Sequence, residues 1–192
     1  MDGSYEPGVT EGVPGAIVND ADTAAEFSGS GVFVPSYFGL DLVGNAVSIE
    51  VWAKGGPQTP FAYLVSKSDW NGTIGYSLYA GVNGTLRFFV GTGTLQITDE
   101  AGFTWDGAWH HIVGVYDGST VNLYVDKVLV ASTPASGDIA SSFGTPLTIG
   151  RFNGGGFTFA GDLDEVAVYN YALTSDQIHH HYNQAIFGSI FG

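Results

Sequence analysis

The sequence predicts an all-β fold, an antiparallel sandwich of two sheets with one short helix near the C-terminus. The 192 residues include 29 glycines, 13 phenylalanines and 10 tyrosines, a composition typical of many short strands joined by tight turns. Strand-like segments recur at short spacing with turn residues between them, which favours antiparallel pairing. A chain of this length is large enough for one domain with a sizeable core.

The clearest strand is the segment VSIEVWAK at residues 47–54. Its alternation places Val47, Ile49, Val51 and Ala53 on one face, which is the pattern of a strand that packs on a core. The other predicted strands, in chain order, cover residues 61–66, 76–80, 86–90, 95–98, 109–116, 121–125, 128–132, 147–150 and 163–169.

Turn dipeptides connect several of these strands. Asn83-Gly84 is the strongest hairpin signal in the chain and predicts that the strands on either side of it pair with each other. The dipeptides DG at residues 117–118 and DK at 126–127 predict a three-stranded meander over residues 109–132.

Only one helix is predicted, over residues 175–184. Thr174 is a suitable N-cap residue, and Gln177 follows at the capping-box position. One domain is therefore expected over residues 1–184, followed by an apolar tail over residues 185–192. The tail either folds back over an uncovered sheet edge or adds to a neighbouring subunit, and folding back is the preferred expectation.

The charge of the chain restricts its partners. Nineteen acidic and five basic residues give a formal net charge of −14, so the surface repels phosphate, and this argues against nucleic-acid binding. No run of about 18 consecutive apolar residues is present, and no membrane insertion is expected. The absence of cysteine rules out disulfides, thiolate metal sites and cysteine nucleophiles.

Three stretches of the sequence follow a known family pattern. They are AEFSGSGVFVP at residues 25–35, WHHIVGVYDG continuing to LYVD over residues 109–126, and LTIG at 147–150 followed by FAGDLDEVAVYNYAL at 159–173. Together they span about residues 14–183, and the chain resembles the laminin-G-like, concanavalin A-like family of jelly-roll domains. The resemblance implies a jelly-roll sandwich of the lectin type.

The chain departs from this pattern at two places. Family members begin with an aromatic-rich strand, whereas DGSY at residues 2–5 opens this chain, so that strand is expected to be absent and one sheet edge incomplete. Lys127 also replaces the usual turn glycine.

Asp164 is the first candidate for a metal ligand. In a regularly alternating strand it shares a face with Asp162, Val166 and Val168, and a carboxylate close to a core needs a partner. The chain has few basic residues, and Ca²⁺ prefers carboxylate and carbonyl oxygens. The alternatives are that Asp164 caps a turn or pairs with Arg151.

The family resemblance implies a structural Ca²⁺ near this strand, which would hold the N-terminal segment against it. The further ligands expected from the resemblance are Asn19, Asp20, Asp22 and the carbonyl groups of Ser28 and Gly29.

Sugar binding requires exposed aromatic rings beside groups that hydrogen-bond to hydroxyls. Trp70 lies in the polar turn SDWNG, where burial does not explain a large ring. Trp70, Asp69, Asn71 and Tyr76 are therefore the candidate carbohydrate contacts, and Asn153 with the glycines at 154–156 is a weaker set. The alternative is that the ring of Trp70 folds onto the rim of the sandwich.

Other conspicuous residues have structural explanations. Three consecutive histidines at 179–181 point about 100° apart on a helix, so they are expected to be packed or solvent-facing and not to bind one metal. Trp52, Trp105 and Trp109 lie in or beside strands and are expected in the core. The sequons NGT at residues 71–73 and 83–85 also read as turns.

An enzyme is not expected. Retaining glycoside hydrolases of this fold carry the pattern Glu-x-Asp-x-x-Glu on one strand, and none of the glutamates begins it. Glu50 has no second acid near it in sequence, and Asp162, Asp164 and Glu165 form the only tight acidic cluster. No Gly-x-Ser-x-Gly or His-Glu-x-x-His motif is present.

Two functions fit these observations. The first is a carbohydrate-binding or adhesive module, secreted or on a cell surface, whose partner is a glycan or a surface protein. The second is a display protein of a phage or virus particle that assembles as a homo-oligomer, capsid or fibre through the N-terminal edge or the tail at 185–192. A glycoside hydrolase relative is the third and least favoured.

Overall fold

Fourteen strands and one helix make up the part of the chain that the computed structural model describes, residues 3–37, 39–42 and 44–188. The strands are β1 (Ser4–Tyr5), β2 (Val9–Pro14), β3 (Thr23–Ser28), β4 (Val32–Val34), β5 (Val47–Lys54), β6 (Tyr63–Ser68), β7 (Gly75–Ala80), β8 (Leu86–Gly91), β9 (Leu95–Ile97), β10 (Trp109–Tyr116), β11 (Thr120–Val125), β12 (Val128–Pro134), β13 (Leu147–Ile149) and β14 (Ala160–Tyr169). The helix is α1 (Ser175–Phe187).

The strands form two seven-stranded antiparallel sheets, which confirms the predicted jelly-roll sandwich. The first sheet has the order β1-β4-β13-β6-β7-β8-β9 and the second the order β12-β11-β10-β5-β14-β3-β2. The hairpin across Asn83-Gly84 and the meander of β10, β11 and β12 are both present. Side chains from the two facing sheets form one main core.

The alternation of β5 decides which face of the second sheet is buried. Val47, Ile49, Val51 and Ala53 are fully buried in the main core, as predicted. The residues between them face away from the core, toward the helix, and this outer face carries Glu50 and Trp52.

Helix α1 covers part of that outer face. It begins with the predicted capping box, in which the Gln177 amide donates to Thr174 Oγ1 at 3.2 Å and the Thr174 amide donates to Gln177 Oε1 at 2.9 Å. Ile178 packs on β10, and Ala185 packs beside Trp52. The helix reaches Phe187, three residues further than expected, and residues 189–192 lie outside the described residues.

The N-terminal region differs from the expectation of an incomplete edge. Ser4–Tyr5 pairs with β4 at the edge of the first sheet, and Val9–Pro14 pairs with β3 at the edge of the second. The segment VTEGVP shows no clean alternation because it is an edge strand with a register shift after Glu11. Both sheets thus receive an edge strand from this region, which corrects the prediction.

A bulge in β14 changes the faces of its side chains. The pairing of β14 with β5 shifts between Asp164 and Ala167, and Glu165 has a φ of 49°. Val166 and Val168 consequently turn toward the main core, while Asp164 stays on the outer face opposite Trp52. Asp162 and Asp164 share one face as predicted, whereas the prediction that Val166 and Val168 share it is wrong, because one extra residue inverts the alternation.

No helix in the described part of the chain is both long and apolar enough to cross a membrane.

Candidate functional site

The outer face of the first sheet carries a floor of aromatic rings. Tyr63 on β6 and Tyr79 on β7 are register partners, and their rings stack with centroids 5.0 Å apart at 18°. Phe89 on β8 meets Tyr79 edge-on at 5.9 Å. Alternation along these strands points the three rings away from the main core, where they form a separate cluster with Phe152.

Aromatic residues from the flanking loops stand above these rings. Trp70 is 60% exposed, and its ring meets Phe152 edge-on at 5.5 Å and Phe157 at 5.1 Å. Phe61 stacks on Tyr79 at 6.2 Å. The groove that these rings line, called the aromatic groove below, has a volume of about 180 Å³. It is lined by Phe61, Tyr63, Trp70, Asn71, Gly72, Tyr79, Phe89, Leu95 and Ile97.

Two of these aromatic residues have an unusual backbone conformation. Phe61 and Phe157 have φ angles of 62° and 50°, in the left-handed region that bulky residues rarely occupy. Their rings touch edge-on at 6.0 Å. Strain of this kind persists only where the surroundings impose it, and it concentrates at binding surfaces.

Polar groups accompany the rings. The Asn71 side chain is exposed, and neither its amide nor the hydroxyls of Tyr63 and Tyr79 have hydrogen-bond partners among the described residues. Burial raises the pKa of both tyrosines, so both hydroxyls keep their protons at neutral pH and can donate as well as accept.

Two of the four predicted sugar contacts line this groove and two do not. Trp70 and Asn71 line it, whereas Asp69 uses its carboxylate to accept bonds from the backbone amides and hydroxyl of the following turn, at 2.7 to 3.2 Å. Tyr76 is fully buried in the main core, and its hydroxyl donates to the Leu40 carbonyl at 3.0 Å. Tyr76 therefore cannot contact a sugar at the surface, which corrects that prediction.

Asn153, from the weaker candidate set, serves the architecture of its loop. Its side-chain amide donates to the Ser68 carbonyl at 2.8 Å and ties the loop at 152–157 to the end of β6. That tie holds Phe152 and Phe157 beside Trp70.

Asp164 has two backbone partners in place of the alternatives predicted for it. The amide of Ala16 donates to its Oδ2 atom at 2.8 Å, and the amide of Glu165 donates to its Oδ1 atom at 3.0 Å. Arg151 instead forms an ion pair with Glu6 at 2.6 Å. Asp164 thus joins the N-terminal segment to β14 directly.

Three carboxylates nevertheless converge here. One oxygen each from Asp22, Asp164 and Glu165 lies within 4.8 Å of the other two. Glu165 was missed as a candidate ligand. Its side chain reaches the outer face only because of the bulge in β14, and no pattern in the sequence predicts that bulge. Burial and the charges of Asp164, Asp22, Asp20 and Glu50 raise the pKa of Glu165. Hard oxygen donors crowded in this way fit Ca²⁺.

The other predicted metal ligands have different partners. Asp162 forms an ion pair with Lys54 at 3.0 Å. Asp20 accepts a bond from the Asp22 amide at 3.0 Å, and Gly29 occupies the turn after β3 with a φ of 99°. None of the three belongs to the group of converging carboxylates found among the described residues.

A second opening lies beside the cluster, on the outer face of the second sheet. It has a volume of about 520 Å³ and is bounded by the loop at 17–20, by β5 and β14, and by one side of α1. Glu50 and Glu165, which sequence analysis did not connect, both line it. This opening is called the acidic cleft below.

Glu50 at the base of the acidic cleft is held by three side chains. His111 Nε2 and His181 Nδ1 lie 2.6 and 3.0 Å from its Oε1 atom, and the Tyr169 hydroxyl donates to Oε2 at 2.7 Å. Burial alone would raise the pKa of Glu50, but the hydrogen bonds from His111 and Tyr169 outweigh it, and the pKa is lowered. Glu50 is therefore a fixed negative charge.

The histidine run places its members in different surroundings, as helical spacing predicts. His179 Nε2 lies 3.0 Å from the Lys127 carbonyl, His180 is exposed, and His181 reaches Glu50. Of the three tryptophans expected in the core, Trp105 lies in the main core, while Trp52 is buried beneath α1 and Trp109 is half-buried.

All five basic side chains of the protein have partners elsewhere. These partners are Asp162 for Lys54, the Ser142 and Thr145 carbonyls for Lys67, the Thr98 carbonyl for Arg87, Asn183 for Lys127, and Glu6 for Arg151. None of them lines the acidic cleft.

Comparison with known proteins identifies the family to which this architecture corresponds. The model of the family described as "Concanavalin A-like lectin/glucanases superfamily" matches residues 27–179. Over 151 residues the chain is 28% identical to the adhesion G-protein coupled receptor V1 of Danio rerio, a match that covers 71% of this chain and 2% of the receptor. The chain therefore spans only a small part of that relative.

Two solved structures share the fold. Domain 4 of AbnA, a GH43 extracellular arabinanase from Geobacillus stearothermophilus, in complex with arabinotriose, aligns with a TM-score of 0.67 and 21% identity over 94% of this chain and 81% of that one. The binding domain of Paraclostridial Mosquitocidal Protein 1 aligns with a TM-score of 0.72 and 16% identity over 95% of this chain and 47% of that one.

Proposed function

We propose that this chain, which belongs to the concanavalin A-like lectin/glucanases superfamily, is a non-catalytic carbohydrate-binding module that acts outside the cell. The observation that carries the proposal is the aromatic groove, in which the 60% exposed ring of Trp70 stands beside a floor of stacked tyrosines.

The groove offers what a sugar ring requires. A pyranose or furanose presents C–H groups on its faces and hydroxyls around its edge, so it stacks on aromatic rings and hydrogen-bonds at its rim. Trp70 and Phe61 provide the rings, and the Asn71 amide with the hydroxyls of Tyr63 and Tyr79 provides the polar groups. At about 180 Å³ the groove is smaller than a typical drug-sized pocket of roughly 300–1,000 Å³, which favours one sugar unit of a longer glycan.

The comparisons support a binding role without assigning one. Domain 4 of the arabinanase is described in complex with arabinotriose, and the mosquitocidal protein domain is described as a binding domain. Both likenesses concern the fold alone, so the glycan specificity of this chain is a matter for experiment. Binding of a surface protein by the same module, and display on a phage or virus particle, remain predictions.

The chemistry of the acidic cleft argues against glycoside hydrolysis. A retaining glycosidase needs one accessible nucleophilic carboxylate and one acid about 5 Å apart. Both oxygens of Glu50 are occupied by His111, His181 and Tyr169, and its side chain is 8% exposed. Neither oxygen of Glu50 is available to attack a sugar.

Calcium is part of the proposal, with Asp22, Asp164 and Glu165 as its carboxylate ligands. Bound there, the ion would reinforce the attachment of the N-terminal segment to β14 that the Ala16–Asp164 hydrogen bond already makes.

A glycan array followed by calorimetric titration of the best ligand tests the module. The Trp70→Ala variant is expected to lose binding by about tenfold, because a sugar ring that removes roughly 50–60 Å² of the exposed Trp70 face from water gains about 1.4 kcal/mol. Tyr171→Ala is the matched control, since it also removes an exposed ring (44%) but lies outside the groove. No binding to any glycan with and without Ca²⁺, or equal affinities of the two variants, would refute the proposal.

A further inference from the structure

The acidic cleft is lined by more carboxylates than basic side chains. Asp20, Glu50 and Glu165 line it, no lysine or arginine does, and the one histidine in the lining, His181, is bonded to Glu50. Each of the five basic side chains of the protein is bonded to another group, so none is free to neutralise the cleft. Carboxylates in a concave, partly desolvated site concentrate cations, because their field is less screened than at an open surface.

The carboxylates of the cleft are spread along its walls. Asp20 stands on the loop at 17–20, Glu50 on β5 and Glu165 on β14, and these three do not converge on one point as Asp22, Asp164 and Glu165 do. A bare metal ion needs several oxygens at about 2.3–2.6 Å, and both oxygens of Glu50 are already engaged. The arrangement suits a larger cation whose charge sits on an N–H donor.

Apolar surface lies between the charges. Ile17, Val18 and Ala185 line the cleft beside Ala167, whose small side chain leaves the space between Glu165 and Tyr169 open. The volume of about 520 Å³ accommodates an aliphatic chain as well as a charged head group.

Hydrogen-bonding groups at the rim remain unused. The side-chain amides of Asn19 and Gln184, the carboxylate of Glu165 and the Nε2 atom of His181 have no hydrogen-bond partner among the described residues. A ligand with N–H donors would find acceptors on three sides: the loop, β14 and α1.

We propose that the acidic cleft is a second binding site that takes an aliphatic ammonium group, with Glu165 as its direct partner and Glu50 as a fixed charge behind it. The group can belong to a free diamine or to a lysine side chain of a partner protein, since both present the same alkylammonium. This site lies on the opposite sheet from the aromatic groove and does not depend on the carbohydrate function.

The test is an NMR and calorimetric titration of the chelator-treated full chain with 1,5-diaminopentane, using 1,5-pentanediol as the uncharged control. Saturable binding of the diamine is expected, with shifts at the amides of Ala167, Gln184 and Gly188 and none with the diol. A blocked lysine amide is titrated in parallel. Binding of this compound favours a lysine of a partner protein, whereas its failure beside a binding diamine assigns the site to free amines.

Matched variants separate this site from the proposed calcium site. Glu165→Gln is nearly isosteric and is expected to weaken diamine binding about tenfold, as for one lost charge-assisted hydrogen bond. Asp22→Asn removes a carboxylate of the converging cluster that does not line the cleft, so it should weaken diamine binding by much less than Glu165→Gln, through the loss of a nearby charge alone. Trp70→Ala, on the other sheet, should leave diamine binding unchanged.

Three results would overturn the inference. They are equal binding of diamine and diol, unchanged affinity in a folded Glu165→Gln variant, and no binding tighter than about 10 mM. A fourth is an equal loss of diamine affinity in Asp22→Asn and Glu165→Gln, which would assign the effect to the carboxylate cluster as a whole. Thermal unfolding of each variant verifies that it is folded.

Discussion

The backbone amide of Ala16 donates a 2.8 Å hydrogen bond to Oδ2 of Asp164, a residue 148 positions away in sequence. The contact depends on Gly15, because a Cβ atom at that position would lie 2.8 Å from the same oxygen. The attachment of the N-terminal segment to β14, for which the family resemblance implied a Ca²⁺ ion, is therefore already made by one carboxylate.

Replacing Asp164 is expected to destabilise the protein substantially. Asp164→Ala leaves the buried Ala16 amide without a partner, which should lower the free energy of unfolding by about 2 kcal/mol. Urea denaturation measures this. Asp162→Ala is the control, because the Lys54–Asp162 pair is partly exposed and its loss should cost less than about 1 kcal/mol.

Gly15→Ala tests the same hydrogen bond from the side of its donor, because Gly15 precedes Ala16 and lies against the accepting oxygen. The added methyl group would push Asp164 away from the Ala16 amide, so this variant should also be destabilised. A variant pair in which Gly15→Ala and Asp164→Ala are as stable as the wild type would show that the hydrogen bond does not hold the segment.

The sequence was sufficient for the architecture because periodicity and turn dipeptides are local signals. The β5 face, the hairpin at Asn83-Gly84 and the Thr174 cap all depend on residues close in sequence. The family resemblance added the expectation that these strands form a jelly-roll sandwich, which the two sheets confirm.

The candidate sites were predicted less completely because they depend on contacts between distant segments. Trp70 stood out as a ring in a polar turn, but the rings that support it come from positions 152 and 157. Tyr76 was misassigned because its proximity in sequence to Trp70 says nothing about the sheet face it occupies. Glu165 was missed because its position follows from a bulge.

Bound Ca²⁺ should offset the repulsion between Glu165 and the carboxylates of Asp22 and Asp164. Without metal, Glu165→Gln is expected to unfold at a higher temperature than the wild type near neutral pH, since it removes one of three crowded carboxylates. Added Ca²⁺ should raise the melting temperature of the wild type and have a much smaller effect on Glu165→Gln or Asp22→Asn. Equal responses of all three proteins would eliminate the proposed calcium site.

The pH dependence of stability tests the environment of Glu165 independently. Burial and the neighbouring acids raise the pKa of Glu165, so the folded chain binds this proton more tightly than the unfolded chain. Its contribution to stability is complete below the ordinary carboxyl pKa of about 4.3 and is lost as the pH rises through the folded value. In metal-free solution, the advantage of Glu165→Gln over the wild type should therefore grow between about pH 4 and 7.

His110 is expected to make the free energy of unfolding depend on pH at higher pH values than Glu165 does. Burial alone would lower its pKa, but its hydrogen bonds with Asp126 at 2.7 Å and Asp106 at 3.1 Å outweigh burial and raise the pKa. The stabilisation is fully present below the unfolded pKa of about 6.5 and is lost as the pH rises through the folded value. Urea titrations from about pH 6 to 9 should show this decline in the wild type and a weaker one in His110→Gln; identical slopes would contradict it.

The strained backbone of Phe157 connects stability with binding. A non-glycine residue in the left-handed region costs about 1 kcal/mol, and Phe157 has a φ of 50° while its ring supports Trp70. Phe157→Gly should therefore be more stable than Phe157→Ala by about 1 kcal/mol, because both lose the ring but only glycine relieves the strain. Both variants should bind the glycan more weakly than the wild type, because Trp70 loses its neighbour. If alanine is tolerated as well as glycine, the φ angle carries no strain; if binding survives in both, the aromatic groove does not depend on this ring.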